Sequence, residues 1–396
     1  MSPTTRSSTK RTLEDANTPI TTTEEPPAKV QKVSAAPGLK GVNVPASPLS
    51  IKDKRVYETR TKFTKSLDVR RRRRLANNVR PVWSEMPASA QQGMRNLSGV
   101  LCYRNSLLQS LVHQPQFCRW LVAQHQPQHC IWVEKTPCVA CGLRNLVQVY
   151  WSGKSVVQAL KDVDRIFNAN NWQNGMGGQE DPEEQLTWLV NKFSEQLPSS
   201  HYSVFEALTR FVLDSSTTCK TCGHISSTVG DIEGSLAVDL LPRIKGGDLA
   251  AYVQQNLSYI VSGYKCDSCK DAALDKQRSR KIAHSPDFFT VQLKRFDWMG
   301  KKDSYPIPIN PLLDLNSNRT PNNKTDSKYE LSAIVLHQGT LESGHYICMS
   351  RGSNGQWLKF DDDIVSRIPE SAVFTSAGKK YGSFTPYLLF YQRVRK

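Results

Sequence analysis

The stretch "GVLCYRNSLLQSL" (residues 99–111) places a single cysteine, Cys102, between a glycine-led turn and a strongly apolar run. Leu107, Leu108 and Leu111 recur at the spacing of one face of a helix, which predicts a helix beginning near Cys102. The N-terminus of a helix stabilises a thiolate, because its free N–H groups and its dipole favour negative charge. Cys102 is therefore either a nucleophile or a buried structural cysteine that happens to begin a helix.

The chain on either side of this stretch changes character near residue 200. Apolar residues with helical spacing dominate before it, as in Leu143, Leu146 and Val147. After it, apolar and polar residues alternate, as in "FFTVQLKRF" (288–296), which is typical of strands. This order predicts an α+β fold, helical in its first half and mainly antiparallel sheet in its second.

The N-terminal segment is basic and poor in apolar residues. Residues 1–90 contain 18 Lys and Arg against 8 Asp and Glu, which accounts for +10 of the net charge of +16. Such a composition predicts a disordered tail over residues 1–88, followed by one folded domain over 89–396. We find neither a membrane-spanning run nor a signal peptide, so we expect no membrane partner.

Five consecutive arginines lie within this tail, at residues 70–74. A run of this kind is typical of a nuclear localisation signal or of an arm that binds nucleic acid, and it also occurs as a solvated linker. We expect the protein to be nuclear, with the cytoplasm as the alternative.

The ten cysteines are distributed in a way that favours metal over disulfides. Two Cys-x-x-Cys pairs far apart in the chain are typical of one tetrahedral zinc site in a reducing compartment. The predicted ligands are Cys219, Cys222, Cys266 and Cys269.

A second cluster of ligand-type residues lies in "HQPQHCIWVEKTPCVAC" (125–141). Cys130, Cys138 and Cys141 form a Cys₃His zinc site if either His125 or His129 is the fourth ligand. The alternative is that these are free cysteines on a loop and a helix start.

A histidine and an aspartate far downstream complete a candidate catalytic group. His345 begins an alternating strand, and Asp361 lies on the return strand of a hairpin whose turn is predicted at Asn354-Gly355. A two-residue turn would put Asp361 opposite Cys348, so contact with His345 requires a longer loop or a bulge. Cys, His and Asp together suit nucleophilic catalysis, although three unrelated residues would give the same pattern.

Six segments together resemble the ubiquitin-specific protease family, and they occur in the family's order. "CYRNSLLQSL" resembles its cysteine box, "YELSAIVLHQGTLESGHYICMSR" its histidine box and "WLKFDDDIV" its acidic box. "GGQEDPEEQLTWL", "FFTVQLKRF" and "YLLFYQR" are similar to three further family blocks.

The resemblance implies a papain-like cysteine protease fold with a helical thumb, an antiparallel palm and zinc-ribbon fingers over about residues 205–285. It implies hydrolysis of the isopeptide or peptide bond after the C-terminal glycine of ubiquitin. Cys102 would be the nucleophile, His345 the base and then the acid, Asp361 the orienting carboxylate, and Asp362 an accessory.

The same resemblance places Asp181 and Glu184 at acidic positions that would bind the arginines of the ubiquitin tail, where charge-assisted pairing favours carboxylates. The alternative for both residues is a solvated, acidic helix start.

One segment departs from the family pattern. In the family an asparagine that donates to the oxyanion lies five residues before the nucleophile, whereas here "NLSGVLC" puts Asn96 six residues before Cys102. We predict that the extra residue bulges out at Ser98 and Gly99, so that Asn96 still reaches the site.

The expected partners are ubiquitin, ubiquitinated proteins and an activating protein, with nucleic acid a partner only through the basic tail. Two rival functions remain. An inactive homologue would bind ubiquitin as a scaffold, and a protease for another ubiquitin-like modifier would keep the catalytic residues but bind a different tail.

Overall fold

The apolar helical spacing of the first half produces a bundle of helices around the segment that begins at Cys102. The computed structural model describes residues 69–80, 83–130, 137–172, 178–270, 275–340, 343–374 and 383–395. Residues 1–68 of the predicted tail lie outside the described residues. The helices of this first half are α1 (Val69–Asn77), α2 (Cys102–Val112), α3 (Pro115–Gln124), α4 (Val139–Trp151), α5 (Val157–Ala169), α6 (Pro182–Gln196) and α7 (Ser199–Thr209).

The second half consists mainly of strands, with helices α8 (Leu249–Leu257) and α9 (Glu370–Phe374) beside them. The strands are β1 (Phe211–Cys219), β2 (Ile225–Glu233), β3 (Ser235–Asp239), β4 (Ser258–Val261), β5 (Lys276–His284), β6 (Phe288–Lys294), β7 (Leu312–Asp314), β8 (Lys328–Gly339), β9 (Gly344–Arg351), β10 (Trp357–Asp361), β11 (Ile364–Ile368) and β12 (Thr385–Arg393).

These strands form two sheets. The smaller, which we call the fingers sheet, has the order β2-β1-β5-β4 and is antiparallel throughout. The larger, which we call the palm sheet, has the order β11-β10-β9-β8-β12-β6-β3, with β7 paired to β8. The β3 and β6 strands pair in parallel, and the other palm pairs are antiparallel.

Helix α2 is the centre of the helical half, which comprises α2 to α7. All eleven of its residues are buried, and it packs directly against β9 of the palm sheet. Its first residue, Cys102, is thereby brought to the boundary between the helical half and the strands that follow. The predicted α+β class and its layout of a helical half, a palm sheet and a fingers sheet are confirmed by this arrangement.

The N-terminal boundary differs from the one predicted. Helix α1 lies inside the segment expected to be a disordered tail, yet it packs against α7. Ala76 and Val79 are 2% and 3% exposed, and Met86 is also buried in the core of the helical half. The prediction of disorder used the mean composition of the segment, in which the arginines outweigh these few apolar residues. Burial depends instead on the spacing of the apolar residues, which places them on one face of the helix.

All described residues belong to one compact unit. Among them, no helix has both the length and the apolar character needed to cross a bilayer.

Candidate active site

Cys102 occupies the first position of α2. The turn before it contains Gly99 with φ of +81°, a left-handed conformation that favours glycine, and Leu101 precedes the helix. Cys102 is 1% exposed, and its backbone lies at the positive end of a helix that is buried along its whole length. The sequence prediction of a helix beginning at this cysteine is confirmed.

His345 and Asp361 lie on the neighbouring strands β9 and β10. The Nε2 atom of His345 is 2.7 Å from Oδ1 of Asp361, and their side chains are 36% and 29% exposed. The connection between the strands is longer than the two-residue turn, since Arg351 already pairs with Trp357. Continuing this register by one residue beyond the pair Phe360 and Cys348 brings Asp361 within reach of His345.

The three side chains are electrically coupled. The pKa of His345 is raised to about 9, chiefly by its side-chain hydrogen bond with Cys102 and, against the effect of burial, by Asp361. Burial tends to raise the pKa of Asp361, but the hydrogen bond and charge of His345 lower it overall. Because Nε2 of His345 faces Asp361, Nδ1 is the nitrogen left for the thiol. The structure thus brings together the predicted nucleophile, base and orienting carboxylate.

Asn96 lies beside the start of α2. Its Oδ1 accepts a hydrogen bond from the Leu101 N–H at 3.1 Å, and its Nδ2 donates to Oδ2 of Asp362 at 3.1 Å. With Gly99 turning the chain, the extra residue is accommodated without removing Asn96 from this region. A second hydrogen on Nδ2 remains for another acceptor.

Asp362 joins the two halves of the site. Its carboxylate accepts from Asn96 and, at 2.8 Å, from Nδ2 of Asn105, and its carbonyl accepts from the Met94 N–H. It does so with φ of +52°, which is uncommon for a residue with a side chain. A Cβ on Gly93 would lie 2.5 Å from the backbone of Asp363. The two backbones therefore approach too closely for any side chain at position 93.

Sequence reasoning missed Asn105. It is 3% exposed and its Nδ2 donates both to Asp362 and to the Met94 carbonyl. The available signal was a polar residue one helical turn after Cys102, on the same face of an otherwise buried helix.

Asp181 is the N-cap of α6, and both of its carboxylate oxygens have partners. Oδ1 accepts from the backbone N–H groups of Glu183 and Glu184, and Oδ2 accepts from the Tyr387 hydroxyl. Burial raises the pKa of Asp181 to about 6, although these hydrogen bonds act in the opposite direction. The alternative from the sequence is that both acidic residues simply belong to a solvated helix start. That alternative fits Glu184, which is exposed, better than it fits Asp181.

The loop before α6 is tied to the histidine strand. Oε1 of Gln179 accepts from the Gly344 N–H at 2.8 Å, one residue before His345. The segment that carries Asp181 and Glu184 consequently lies next to β9, the strand of His345.

The four predicted fingers ligands meet at one end of the fingers sheet. The Sγ atoms of Cys219 and Cys269 are 3.8 Å apart, as are those of Cys222 and Cys266. Four sulfurs at about 2.3 Å from a tetrahedral zinc lie about 3.8 Å from one another, so the group fits zinc. Cys219 and Cys266 are buried, whereas Cys222 and Cys269 are exposed.

The second predicted cluster also assembles, at the start of α4. The ligand atoms of His125, Cys130, Cys138 and Cys141 lie within 4.8 Å of one another. Nε2 of His125 is 3.1 Å from Sγ of Cys141 and 3.4 Å from that of Cys138. A Cys₃His zinc site needs about 3.6 Å between nitrogen and sulfur, so this group fits as well. The side chain of the alternative ligand, His129, lies outside the described residues.

This second cluster is connected to the helices around it. The Val139 N–H donates to Oε1 of Gln196 at 2.9 Å, and Asn170 links Gln196 to the Pro137 carbonyl. The segment that carries Cys138 is thus held to the ends of α5 and α6.

Comparison with known proteins agrees with this geometry. The family model described as "Ubiquitin carboxyl-terminal hydrolase" matches residues 92–391. The chain is 27% identical over 343 residues to ubiquitin carboxyl-terminal hydrolase 36 of Drosophila mojavensis, a match that covers 80% of this chain and 27% of that protein. It is 26% identical over 343 residues to ubiquitin carboxyl-terminal hydrolase 8 of Saccharomyces cerevisiae, covering 76% of this chain and 70% of that one.

Among solved structures, the fold is similar to that of the SAGA DUB module, which contains a Ubp8 variant, Sgf11, Sus1 and Sgf73, bound to monoubiquitin. The TM-score is 0.65 at 23% identity, covering 87% of this chain and 74% of that one. The chain spans only about a quarter of the length of the Drosophila relatives. Since the family model covers most of the chain, including every catalytic candidate, the chain belongs to the ubiquitin carboxyl-terminal hydrolase family.

Proposed function

We propose that the chain is a thiol-dependent deubiquitinase, which hydrolyses the isopeptide or peptide bond after the C-terminal glycine of ubiquitin. The observation that carries this proposal is the alignment of Cys102, His345 and Asp361, with 2.7 Å between His345 and Asp361. Family membership supports ubiquitin, rather than another modifier, as the protein whose C-terminal bond is hydrolysed.

The reaction follows from this geometry. His345 takes the proton of Cys102, and the thiolate attacks the carbonyl carbon of the C-terminal glycine of ubiquitin, which forms the thioester as the C–N bond breaks. The imidazolium then donates that proton to the leaving amine, and water hydrolyses the thioester with His345 again acting as base. Asp361 keeps the imidazole oriented and stabilises its charged form.

The oxyanion that forms during both attacks needs hydrogen-bond donors. Asn96 is held beside Leu101 and Asp362, and we assign its remaining Nδ2 hydrogen to this role. Asp362 and Asn105 keep the Asn96 amide in position and do not themselves need to contact the substrate.

We assign Glu184 to the ubiquitin tail as an exposed carboxylate free to meet an arginine. Asp181 would contribute chiefly by capping α6, since Tyr387 and two N–H groups already occupy its oxygens. This division refines the roles that the resemblance gave to the two residues.

Two structural zinc ions per chain are part of this proposal. The Cys₄ group would stiffen the fingers sheet, and the Cys₃His group would fasten the start of α4 to the helices around it. Neither group includes Cys102, His345 or Asp361, so zinc serves folding rather than the reaction.

The test is turnover of a fluorogenic ubiquitin substrate by the full chain, combined with labelling by a ubiquitin vinyl probe. Cys102→Ala should abolish both, and mass spectrometry should find the probe on Cys102. Cys118→Ala is the matched control, because Cys118 is 0% exposed and burial raises the pKa of its thiol. A wild-type chain that binds ubiquitin but neither turns over nor reacts would be a scaffold. Preferential reaction with a probe made from another ubiquitin-like protein would identify a different modifier as the substrate.

A protein partner for activity is a second element of the proposal. The related Ubp8 structure contains three further proteins, Sgf11, Sus1 and Sgf73. We expect the chain isolated with its bound proteins from cells to turn over the substrate faster than the purified chain. Equal rates would argue against such a partner.

We also propose a nuclear location, on the basis of the arginine run at residues 70–74. A fluorescent fusion in which these arginines are replaced by glutamine should lose nuclear accumulation. Retention in the nucleus would remove this assignment.

A further inference from the structure

Helix α1 presents a concentrated positive surface. Arg71, Arg73 and Arg74 are exposed, and none forms an ion pair with another residue that the structure describes. In the sequence, the acidic residues nearest to this run are Asp68, directly before α1, and Glu85. Within the described part of the chain, the three arginines therefore face solvent without an ion-pair partner.

This helix is fixed to the folded domain. Ala76 and Val79 are buried beneath it, and α1 packs along α7. Arg395 donates to the carbonyls of Ala76 and Val79, at 3.4 Å each, and to the buried carboxylate of Asp287. The arginines consequently have positions fixed by the folded domain, unlike the arginines of a flexible basic arm.

The arrangement is electrostatically unfavourable in isolation. The first turn of α1 contains no acidic residue, so cations lie at the end of the helix where the dipole favours anions. Arg71 and Arg74 are one turn apart, a spacing at which like charges repel. A bound polyanion would relieve both effects.

We propose that α1 binds the phosphate backbone of duplex DNA. Arginine suits phosphate because its planar guanidinium can donate two parallel hydrogen bonds. A helix with its side chains is about 10–12 Å in diameter, and the major groove of B-DNA is about 12 Å wide, so a helix lying along the groove brings its arginines to the phosphates at the rim.

The surroundings of α1 favour a duplex over a single strand. Proteins that hold single-stranded nucleic acid stack the bases on exposed aromatic side chains. The aromatic residue nearest to α1 in the sequence among those described, Trp83, is packed against the core of the helical half. Duplex RNA is disfavoured because its major groove is too deep and narrow for a helix.

Binding of this kind would be independent of base sequence and of the cysteine chemistry. It would hold the catalytic domain close to ubiquitinated proteins that are themselves on DNA, which raises their effective concentration. Failure of the deubiquitinase proposal would leave this inference untouched.

The test is titration of a fluorescent 20-base-pair duplex with the full chain over a series of salt concentrations. Arg71→Gln/Arg73→Gln/Arg74→Gln should weaken binding at least about 10-fold near 0.1 M salt. It should also lower the slope of log K against log salt by about 2.7, since each phosphate that an arginine neutralises contributes about 0.9. The thermal midpoint and the turnover of a small substrate should be unchanged, which controls for folding.

Two variants with the same loss of charge locate the site. Lys52→Gln/Lys54→Gln/Arg55→Gln removes three charges from the segment that precedes α1. Lys161→Gln/Lys245→Gln/Arg367→Gln removes three exposed charges elsewhere on the domain. Both should bind the duplex within about twofold of the wild type.

The proposal is overturned if the α1 variant binds like the wild type, or if either control loses as much affinity. It is also overturned if the single strand or duplex RNA binds more tightly than duplex DNA. Direct binding of an acidic polypeptide, together with no measurable binding of DNA, would identify an acidic protein surface as the partner instead.

Discussion

The helical half and the palm sheet hold their shares of the active site in different ways. Cys102 is 1% exposed at the head of a helix that is buried on all sides. His345 and Asp361 are about one third exposed, on strands whose position is set by backbone pairing. Packing therefore fixes the proposed nucleophile, whereas strand register fixes the proposed base, and register has to be correct to the residue.

The palm side should show the larger sensitivity, and Asp361→Ala tests it. We expect kcat to fall by about 10⁴-fold, the order of the loss when the orienting carboxylate of a nucleophilic triad is removed. His345 is protonated below its pKa of about 9, and Asp361 contributes to raising that pKa. The high-pH limb of the rate profile should therefore move to lower pH in the variant.

The matched control for this prediction is Asp363→Ala, which makes the same change at an exposed position two residues away. The control should keep the wild-type rate and pH profile. An unshifted high-pH limb in Asp361→Ala would mean that Asp361 does not set the charge state of His345.

Asn96→Ala tests the helical side of the comparison. Loss of one oxyanion donor costs about 10²–10³-fold in kcat, and the KM for a ubiquitin substrate should hardly change, because the interaction forms only in the transition state. Steady-state kinetics measure both, with Ser98→Ala as the control in the same loop. A wild-type kcat would place Asn96 outside the reaction and leave backbone N–H groups as the donors.

Substitutions in the two proposed zinc groups should affect the stability of the fold, with smaller effects on kcat than the substitutions above. Cys138→Ser and Cys219→Ser should each release one zinc, since metal binding of order 10 kcal/mol contributes directly to folding. Cys138→Ser should lower the thermal midpoint more, because its segment is bonded to α5 and α6. Cys219→Ser should mainly raise the KM for a ubiquitin substrate.

Metal analysis and thermal denaturation measure these outcomes, with Cys118→Ser as a variant of a buried cysteine outside both groups. Two zinc ions in the wild type and one in each cluster variant are expected. Wild-type zinc content in Cys138→Ser would show that the Cys₃His group is not a metal site.

Much of this organisation was predictable because its signals are local. Helical spacing after Cys102 and the Cys-x-x-Cys pairs each reside in a few neighbouring residues, and the structure has them as expected. His125 was one of two histidines with suitable spacing, and its Nε2 lies next to two of the cysteines.

What could not be predicted depends on contacts between distant segments. The Asn354-Gly355 signal located the turn, but the longer loop followed only from the requirement that Asp361 reach His345, and the strand ladder begins at Arg351 and Trp357. The hydrogen bond from the Tyr387 hydroxyl to Asp181 joins residues 206 positions apart, and no local sequence pattern predicts it. Helix α1 was obscured because its arginines outnumber the few apolar residues that bury it.

The hydrogen bond between Asn96 and Asp362 has a consequence for the synthesis of the chain. It links residues 266 positions apart, so it closes only after Asp362 has been synthesised. A ribosome produces the helical half first, with Cys102 but without His345 beside it. A nascent chain would therefore lack the proposed catalytic group until β9 and β10 have been made and have paired.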